Sequence, residues 1–320
     1  MFDHISRFQR WFSRSTDAGA AWFVSAFKHL TSVANRAVIL ATKVLKQTGY
    51  EKSERRSQSG PSAQSARAST PEKAIDLKRP EGPLLPEGEV VYAIGDVHGR
   101  ADLLSKLLDK IEADRAGLEQ KPSLVFLGDY IDRGLQSRQV IDTLLSDRLD
   151  AFQAYYIKGN HEDALLSFLS DPSFGPKWAA YGGRETLVSY GVRPPRSLSF
   201  NAEWEQAHDA FLKAIPNAHQ TLLRSMPTSV QIGGYGFAHA GLRPGKKFAE
   251  QNDHDLMWIR DEFLNENGTF DVMVVHGHTP VDKPHNDHRR INVDTGAYFT
   301  GRLTAAKLTG TDVAFIATDT

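Results

Sequence analysis

Gly95-Asp96-Val97-His98-Gly99 follows the apolar run Val90-Val91-Tyr92-Ala93-Ile94, and this arrangement decides the fold. It recurs twice before Glu162. Leu124-Val125-Phe126-Leu127 leads into Gly128-Asp129-Tyr130-Ile131-Asp132-Arg133-Gly134, and Phe152 to Ile157 leads towards Gly159-Asn160-His161-Glu162. Each apolar run has the length and composition of a buried strand. Each ends in glycine beside Asp, His or Asn. Between the runs, Leu103, Leu104, Leu107, Leu108 and Ile111 repeat at helical spacing over 101–113, and Val140, Ile141, Leu144 and Leu145 do so over 136–147. A further helix is predicted from 162 to 169. Strand and helix in strict alternation predict parallel strands joined by crossover helices. The polar residues then collect at the carboxyl ends of the strands, where open α/β sheets place their ligands.

Further along, residues 171–227 are rich in Gly, Pro and aromatics, with helical pieces near 203–214 and 217–225. They read as an α-rich insertion over the site, in which Trp178, Tyr181, Gly182, Gly183 and Arg184 either shape the cleft or pack beneath it. After Ser229 come short strands at 229–232, 235–239, 272–276, 290–293, 302–308 and 313–317. With few helices between them, these predict a second, mixed or antiparallel sheet. The expected fold class is α/β, a two-sheet sandwich flanked by helices.

Two later histidines also follow strand-like runs. His239 lies in Phe237-Ala238-His239-Ala240-Gly241, and His278 in His276-Gly277-His278-Thr279-Pro280. The residues available at one sheet edge are therefore Asp96, His98, Asp129, Asn160, His161, His239 and His278. Hydrolysis of a phosphate ester needs charge neutralised on the phosphoryl oxygens, a hydroxide at neutral pH and a proton for the leaving group. Two metal ions about 3.5–4 Å apart supply the first two. Mixed nitrogen and oxygen donors suit manganese, iron or zinc better than magnesium or calcium.

The set GDVHG, GDYIDRG and GNHE, with 28 residues from Arg100 to Leu127 and 24 from Leu135 to Lys158, resembles the phosphoprotein phosphatase family of metal-dependent serine/threonine phosphatases. The short bacterial and phage lambda-like branch is the most similar. The resemblance runs from about 89 to 310 and implies a metallophosphoesterase-type sandwich. Carried over by position, it implies that Asp96 and His98 hold one metal and that Asp129 bridges two. Asn160, His239 and His278 would complete the second site. His161 would donate the leaving-group proton, oriented by Asp132, while Arg133 and Arg260 would hold the phosphate. Asp294 would support the site from behind, as would His276 at most. Pro280 stands where wider metallophosphoesterases often carry a second histidine, as expected for this branch. His254, His285 and His288 read as solvated loop residues.

The expected substrate is phosphoserine or phosphothreonine in a protein or peptide, with phosphotyrosine also in reach. A relative with a similar metal centre hydrolyses diadenosine polyphosphates. That group typically has Gln in place of His98 and lacks the Asp132-Arg133 pair, so the phosphatase reading ranks first and the dinucleotide reading second. A phosphate-binding scaffold without turnover is the third alternative, and the complete ligand set disfavours it.

The 320 residues contain no cysteine, which removes disulfides, thiolate metal sites and cysteine nucleophiles. Net charge is −1, giving no global pull towards nucleic acid. Charge is uneven, however. Residues 1–56 carry ten basic and four acidic side chains, leaving −7 on the remainder. Residues 1–50 read as a basic amphipathic helical extension, with Phe2, Ile5, Phe8, Trp11 and Phe12, then Trp22 to Leu45, on apolar stripes. Charges interrupt these stripes too often for a spanning helix or a signal peptide. Residues 2–47 read either as a contact to a membrane surface, or as a helix docking on a partner or on the catalytic domain, or as a poorly ordered extension, in a cytoplasmic protein. Residues 51–88, rich in Ser, Gln and Pro, are expected to be a flexible linker to a catalytic domain over 89–320.

Overall fold

The computed structural model describes residues 76–79, 81 and 84–319, so the amphipathic extension lies outside the described residues. Five strands form the first sheet: β1 (Val90–Ile94), β2 (Ser123–Phe126), β3 (Gln153–Tyr156), β9 (Thr304–Thr309) and β10 (Asp312–Ala317), in the order β10-β9-β1-β2-β3. β1, β2 and β3 are parallel, as the alternation with α1 (Ala101–Asp114) and α2 (Ser137–Leu144) requires. The second sheet has the order β4-β5-β6-β8-β7, from β4 (Ser229–Ile232), β5 (Tyr235–Ala238), β6 (Met273–His276), β7 (His285–Asn286) and β8 (Arg290–Asn292). It is mixed: β5, β6 and β8 are parallel, and β4 and β7 run antiparallel at its edges.

Alternation along the strands sorts side chains into layers. Val91, Ala93, Val125, Ala306 and Leu308 meet Tyr235, Phe237, Val275 and Ile291 between the two sheets. Val90, Tyr92, Ile94, Leu124 and Phe126 face the other way, onto Leu104, Leu107, Leu108 and Ile111 of α1 and Val140, Ile141 and Leu144 of α2. On the far side of the second sheet, Ala238 and Val274 pack against Phe248, Leu256, Phe263 and Phe270. The fold is thus the expected two-sheet α/β sandwich flanked by helices.

Two expectations change. The sequence pattern places the last two strands in the second sheet, but β9 pairs antiparallel with β1 and β10 with β9, extending the first. The stretch read as the end of a linker is seated on the domain. Leu85 is buried, Gly234 N donates to Leu84 O at 2.7 Å, and Leu77 N donates to Thr269 O at 3.1 Å.

The insertion is helical as expected: α3 (Asn160–Ser170) leads into α4 (Gly175–Ala180), α5 (Gly183–Ser189), α6 (Ala202–Ala214) and α7 (Asn217–Ser225). Phe168, Trp178, Trp204 and Phe211 form its aromatic core; Phe168 stacks on Trp178 with centroids 4.8 Å apart. Beyond β5, α8 (Asp253–Trp258) and α9 (Asp261–Leu264) cover the second sheet, and α10 (Ala297–Thr300) follows β8. No described helix is long and apolar enough to cross a membrane.

Candidate metal centre

The polar blocks leave the carboxyl ends of strands from both sheets and converge. Asp96 and His98 follow β1, Asp129, Asp132 and Arg133 follow β2, and Asn160 and His161 open α3 after β3. His239 follows β5, His278 follows β6, and Asp294 follows β8. Close approach requires glycine here: a Cβ on Gly277 would sit 2.1 Å from Asp96 Oδ1, and one on Gly159 would sit 2.2 Å from Asp129 Oδ1. Among the described residues, the non-glycine residues with left-handed backbone are His98, Asp129, Asp132, Arg133 and His278, at φ between 44° and 70°. All five belong to this site. Each such conformation costs on the order of 1–2 kcal/mol in an L-residue, so the rest of the fold holds the site in place.

Asp129 is the centre of the geometry. Its Oδ2 lies 3.4 Å from His98 Nε2 and 3.4 Å from His239 Nε2. In both histidines Nδ1 donates to a main-chain carbonyl, at 2.9 Å to Ile131 O and at 2.8 Å to Leu127 O. In the neutral ring that leaves the Nε2 lone pair facing the carboxylate, which is how a metal-ligating histidine is oriented. His239 Nε2 is also 2.9 Å from Asn160 Oδ1 and 3.0 Å from His278 Nδ1. Asp96 lies further off, its Oδ2 4.0 Å from His98 Nε2, and accepts from His278 N at 3.1 and 3.2 Å. Two donor groups able to hold an ion share Asp129: His98, Asp129 and His161 on one side, and Asp129, His239 and His278 on the other.

The electrostatics fit cations. Asp96, Asp129, Asp294 and Glu162 are all buried within this cluster. Burial first, and Asp294 second, push Asp96 well above the usual carboxylate range. Burial and the neighbouring Asp129 charge raise Asp294 to about 6. Burial opposes charge on His239, but Asp129 and Asp96 outweigh it and raise the imidazole to about 10. Burial and then His239 push His278 down to about 2, and its buried Nε2 has no hydrogen-bond partner among the described residues. Such a set of carboxylate and imidazole donors, one with an unpartnered nitrogen, fits divalent ions.

His161 belongs to the first donor group, yet it is also tied to Asp132. Its Nδ1 is 2.8 Å from Asp132 Oδ2, and its Nε2 is 3.7 Å from Asp129 Oδ2. Burial disfavours its charge, yet Asp129 and the Asp132 hydrogen bond raise its pKa. Asp132 is itself fixed by the insertion: Trp178 Nε1 donates to it at 2.9 Å and Thr186 Oγ1 at 2.6 Å. Of the insertion residues singled out, Trp178 therefore acts through Asp132, and Gly182 O accepts from Arg133 N at 3.1 Å.

Arg133 reaches into the site, with Nη1 2.8 Å from His98 Nε2. Arg260 is exposed and donates to Thr279 Oγ1 at 3.3 Å; its charge helps to depress His278. It therefore faces the His278 side, while Arg133 faces the His98 side. His276 is buried near Arg290 Nη1, 3.2 Å away, and contacts Phe263, outside the donor groups. His254 is exposed as expected, but it is on α8 and stacks on Trp258.

The sequence reading assigned no role to Glu162. Its carboxylate accepts from the main-chain nitrogens of Gly159, Asp129 and Tyr130, each at 2.9 Å. It thereby ties the β2 loop to the first turn of α3. Burial and Asp129 raise it to about 7. The available signal was its place three residues after the glycine that caps α3.

The two sheets and the donor set at their shared edge define a dinuclear phosphoesterase. The calcineurin-like phosphoesterase family model matches residues 90–309, and the chain belongs to that family. It is 33% identical over 236 residues to the asymmetrical bis(5'-nucleosyl)-tetraphosphatase PrpE of Anoxybacillus flavithermus, covering 67% of this chain and 88% of that protein. It is 31% identical over 223 residues to the enzyme of the same name from Halalkalibacterium halodurans, with the same coverage. A solved structure described as a "putative diadenosine tetraphosphatase" has the same fold, superimposing with a TM-score of 0.50 at 21% identity, over 74% of this chain and 98% of that one. The superfamily is the one the motifs implied. The narrower serine/threonine phosphatase branch is not the one these relatives' names carry.

Proposed function

We propose that this metallophosphoesterase hydrolyses dinucleoside polyphosphates asymmetrically, releasing a nucleoside triphosphate and a nucleoside monophosphate from a tetraphosphate. The observation that carries the reading is the 33% identity to a dinucleoside tetraphosphatase over nearly that enzyme's whole length. It reverses the order in which the motifs alone ranked the two substrates.

Two divalent ions, manganese first with iron or zinc as alternatives, would be held by Asp96 and His98 on one side and Asn160, His239 and His278 on the other, sharing Asp129. When bound, such a pair withdraws charge from phosphoryl oxygens and makes a water acidic enough to attack at neutral pH. The protein's own groups do the rest. Arg133 places a guanidinium beside His98 and binds phosphate oxygens, with Arg260 reinforcing the His278 side. The water gives up one proton to solvent and its oxygen bonds to phosphorus as the bridging P–O bond breaks; the departing triphosphate oxygen takes the proton held on His161 Nε2, which solvent then restores. Asp132 fixes His161 with its proton available, and Trp178 and Thr186 fix Asp132.

A second reading, hydrolysis of phosphoserine and phosphothreonine, keeps its standing from the same dyad: Asp132 is fully buried, 2.8 Å from His161, with Arg133 next in sequence. The test is product analysis on metal-loaded protein given diadenosine tetraphosphate and, separately, a phosphothreonine peptide, with a chelator control. Equal amounts of ATP and AMP are expected from the dinucleotide. Metal-dependent phosphate release from the peptide alone would replace the proposal with the second reading.

A further inference from the structure

We propose that Phe299 on α10 stacks a nucleobase of the substrate and so selects nucleoside polyphosphates over simple phosphate esters. This deepens the dinucleotide reading above and rests on it. Phe299 is 60% exposed and Tyr298 38% exposed, an unusual degree for adjacent aromatics. They are nonetheless held firmly. Gly296 has φ 67°, and a Cβ there would lie 2.3 Å from the Phe299 ring, so the ring is laid over bare backbone. Thr300 Oγ1 donates to Thr295 O at 2.8 Å, and Arg100 Nη1 donates to Ala297 O at 3.1 Å, fixing the short helix from both sides.

The platform adjoins the reacting centre. Tyr298 meets the His98 ring edge-on at 5.5 Å, and the Arg133 guanidinium lies 4.9 Å from the Tyr298 centroid. Phe299 continues from Tyr298, with centroids 4.9 Å apart at 76°. A continuous path therefore runs from His98, past Arg133, to an open aromatic face. A ligand that uses all of it carries phosphate charge at one end and a flat apolar ring a few ångströms away, as a nucleotide does. Asymmetric cleavage puts the reacting phosphorus next to one nucleoside, so the base of that nucleoside falls within reach. Trp258, on the His278 side, is instead packed against Tyr181 and stacked by His254.

Base–aromatic stacking is strong enough that its loss should change kcat/KM by about tenfold. The experiment compares diadenosine tetraphosphate with β-glycerophosphate, which has no base, on manganese-loaded full-length protein. Wild type, Phe299→Ala, Phe299→Trp and the distant control Phe315→Ala would be assayed. The expected result is a ratio of the two kcat/KM values about tenfold lower in Phe299→Ala, through KM for the dinucleotide, and restored in Phe299→Trp. Wild-type turnover of the dinucleotide with an unchanged ratio in Phe299→Ala overturns the platform and leaves the dinucleotide reading intact. An equal fall in kcat on both substrates also overturns it, because it marks a structural role. A wild type that hydrolyses a phosphothreonine peptide and not the dinucleotide overturns the platform together with that reading.

Discussion

The two ends of the strand sandwich are built on opposite terms. At the carboxyl ends of β1, β2, β5 and β6, charged groups are buried together and five non-glycine residues hold left-handed backbone. At the other end, Leu84 and Leu85 cover the β4–β5 turn, main-chain groups pair ordinarily, and a cavity of about 420 Å³ lies between that strap and Gly233, Gly234 and Asp271. One end spends stability on a site that wants cations, and the other supplies it through apolar contact. Substitutions should therefore dissociate: those at the site end should cost turnover and leave folding, and those at the strap end should do the reverse.

The largest effect is expected at Asp129. Asp129→Asn removes the charge shared by both donor groups, and turnover should fall by at least about 10³-fold. Asn keeps an oxygen for the His161 amide, which donates to Asp129 Oδ1 at 3.1 Å, so the chelated protein should still melt cooperatively near the wild-type temperature. Calorimetric titration with manganese should show lost stoichiometry; a normal rate would remove Asp129 from the bridging position. Next is Asp132→Asn. Turnover should fall by about 10²-fold with manganese stoichiometry kept, since Asp132 bonds His161 Nδ1 and leaves Asp129, His98, His239 and His278 untouched. The loss should be smallest for substrates whose leaving group needs no proton, such as p-nitrophenyl phosphate.

At the opposite end, Leu85→Ala should cost about 2–3 kcal/mol of stability in urea unfolding, from lost burial and the void left behind. Its kcat at saturating metal should stay within about twofold of wild type, the normal scatter for a change that alters no catalytic contact. A large fall in kcat without unfolding would show that the two ends are mechanically coupled, and the contrast between them would fail.

What the sequence disclosed follows the same division. The ligand blocks were legible because each is short, glycine-bounded and placed after an apolar run, so local chain geometry alone brings it to a strand end. The sheet membership of β9 and β10 was not legible. Their alternation is the same in either sheet, and only the pairing of Val90 with Thr309, far apart in the chain, decides it. Nor were the bonds from Trp178 and Thr186 to Asp132, which join positions 46 and 54 residues apart through helices whose packing no strand register fixes. The two-residue β7 is too short to leave a pattern. The relatives' names reverse the ranking of substrate classes that the motifs give. The donor set points to phosphoester chemistry and does not choose between esters; an exposed aromatic such as Phe299 beside the site is not displayed by the sequence.

The smallest effect sharpens the comparison, because it is electrostatic yet lies at the strap end. Asp287 sits in the turn before β8, where Arg289 N donates to it at 2.7 Å, Arg290 N at 2.8 Å, and His285 Nε2 lies 2.9 Å away. Burial pushes its pKa up, but these partners outweigh burial and bring it down to about 2. A carboxylate depressed on folding stabilises the protein above its unfolded value of about 3.9, and that contribution is lost as pH falls towards 2. Partial exposure screens it to no more than about 1 kcal/mol. Asp287→Ala should therefore lower stability slightly at pH 7, with the deficit closing between about pH 4 and pH 2. Urea melts across that range would show it. The same substitution should leave manganese-dependent turnover untouched, unlike any change to the buried carboxylates at the other end, because here one charge is surrounded by donors and there several charges face one another.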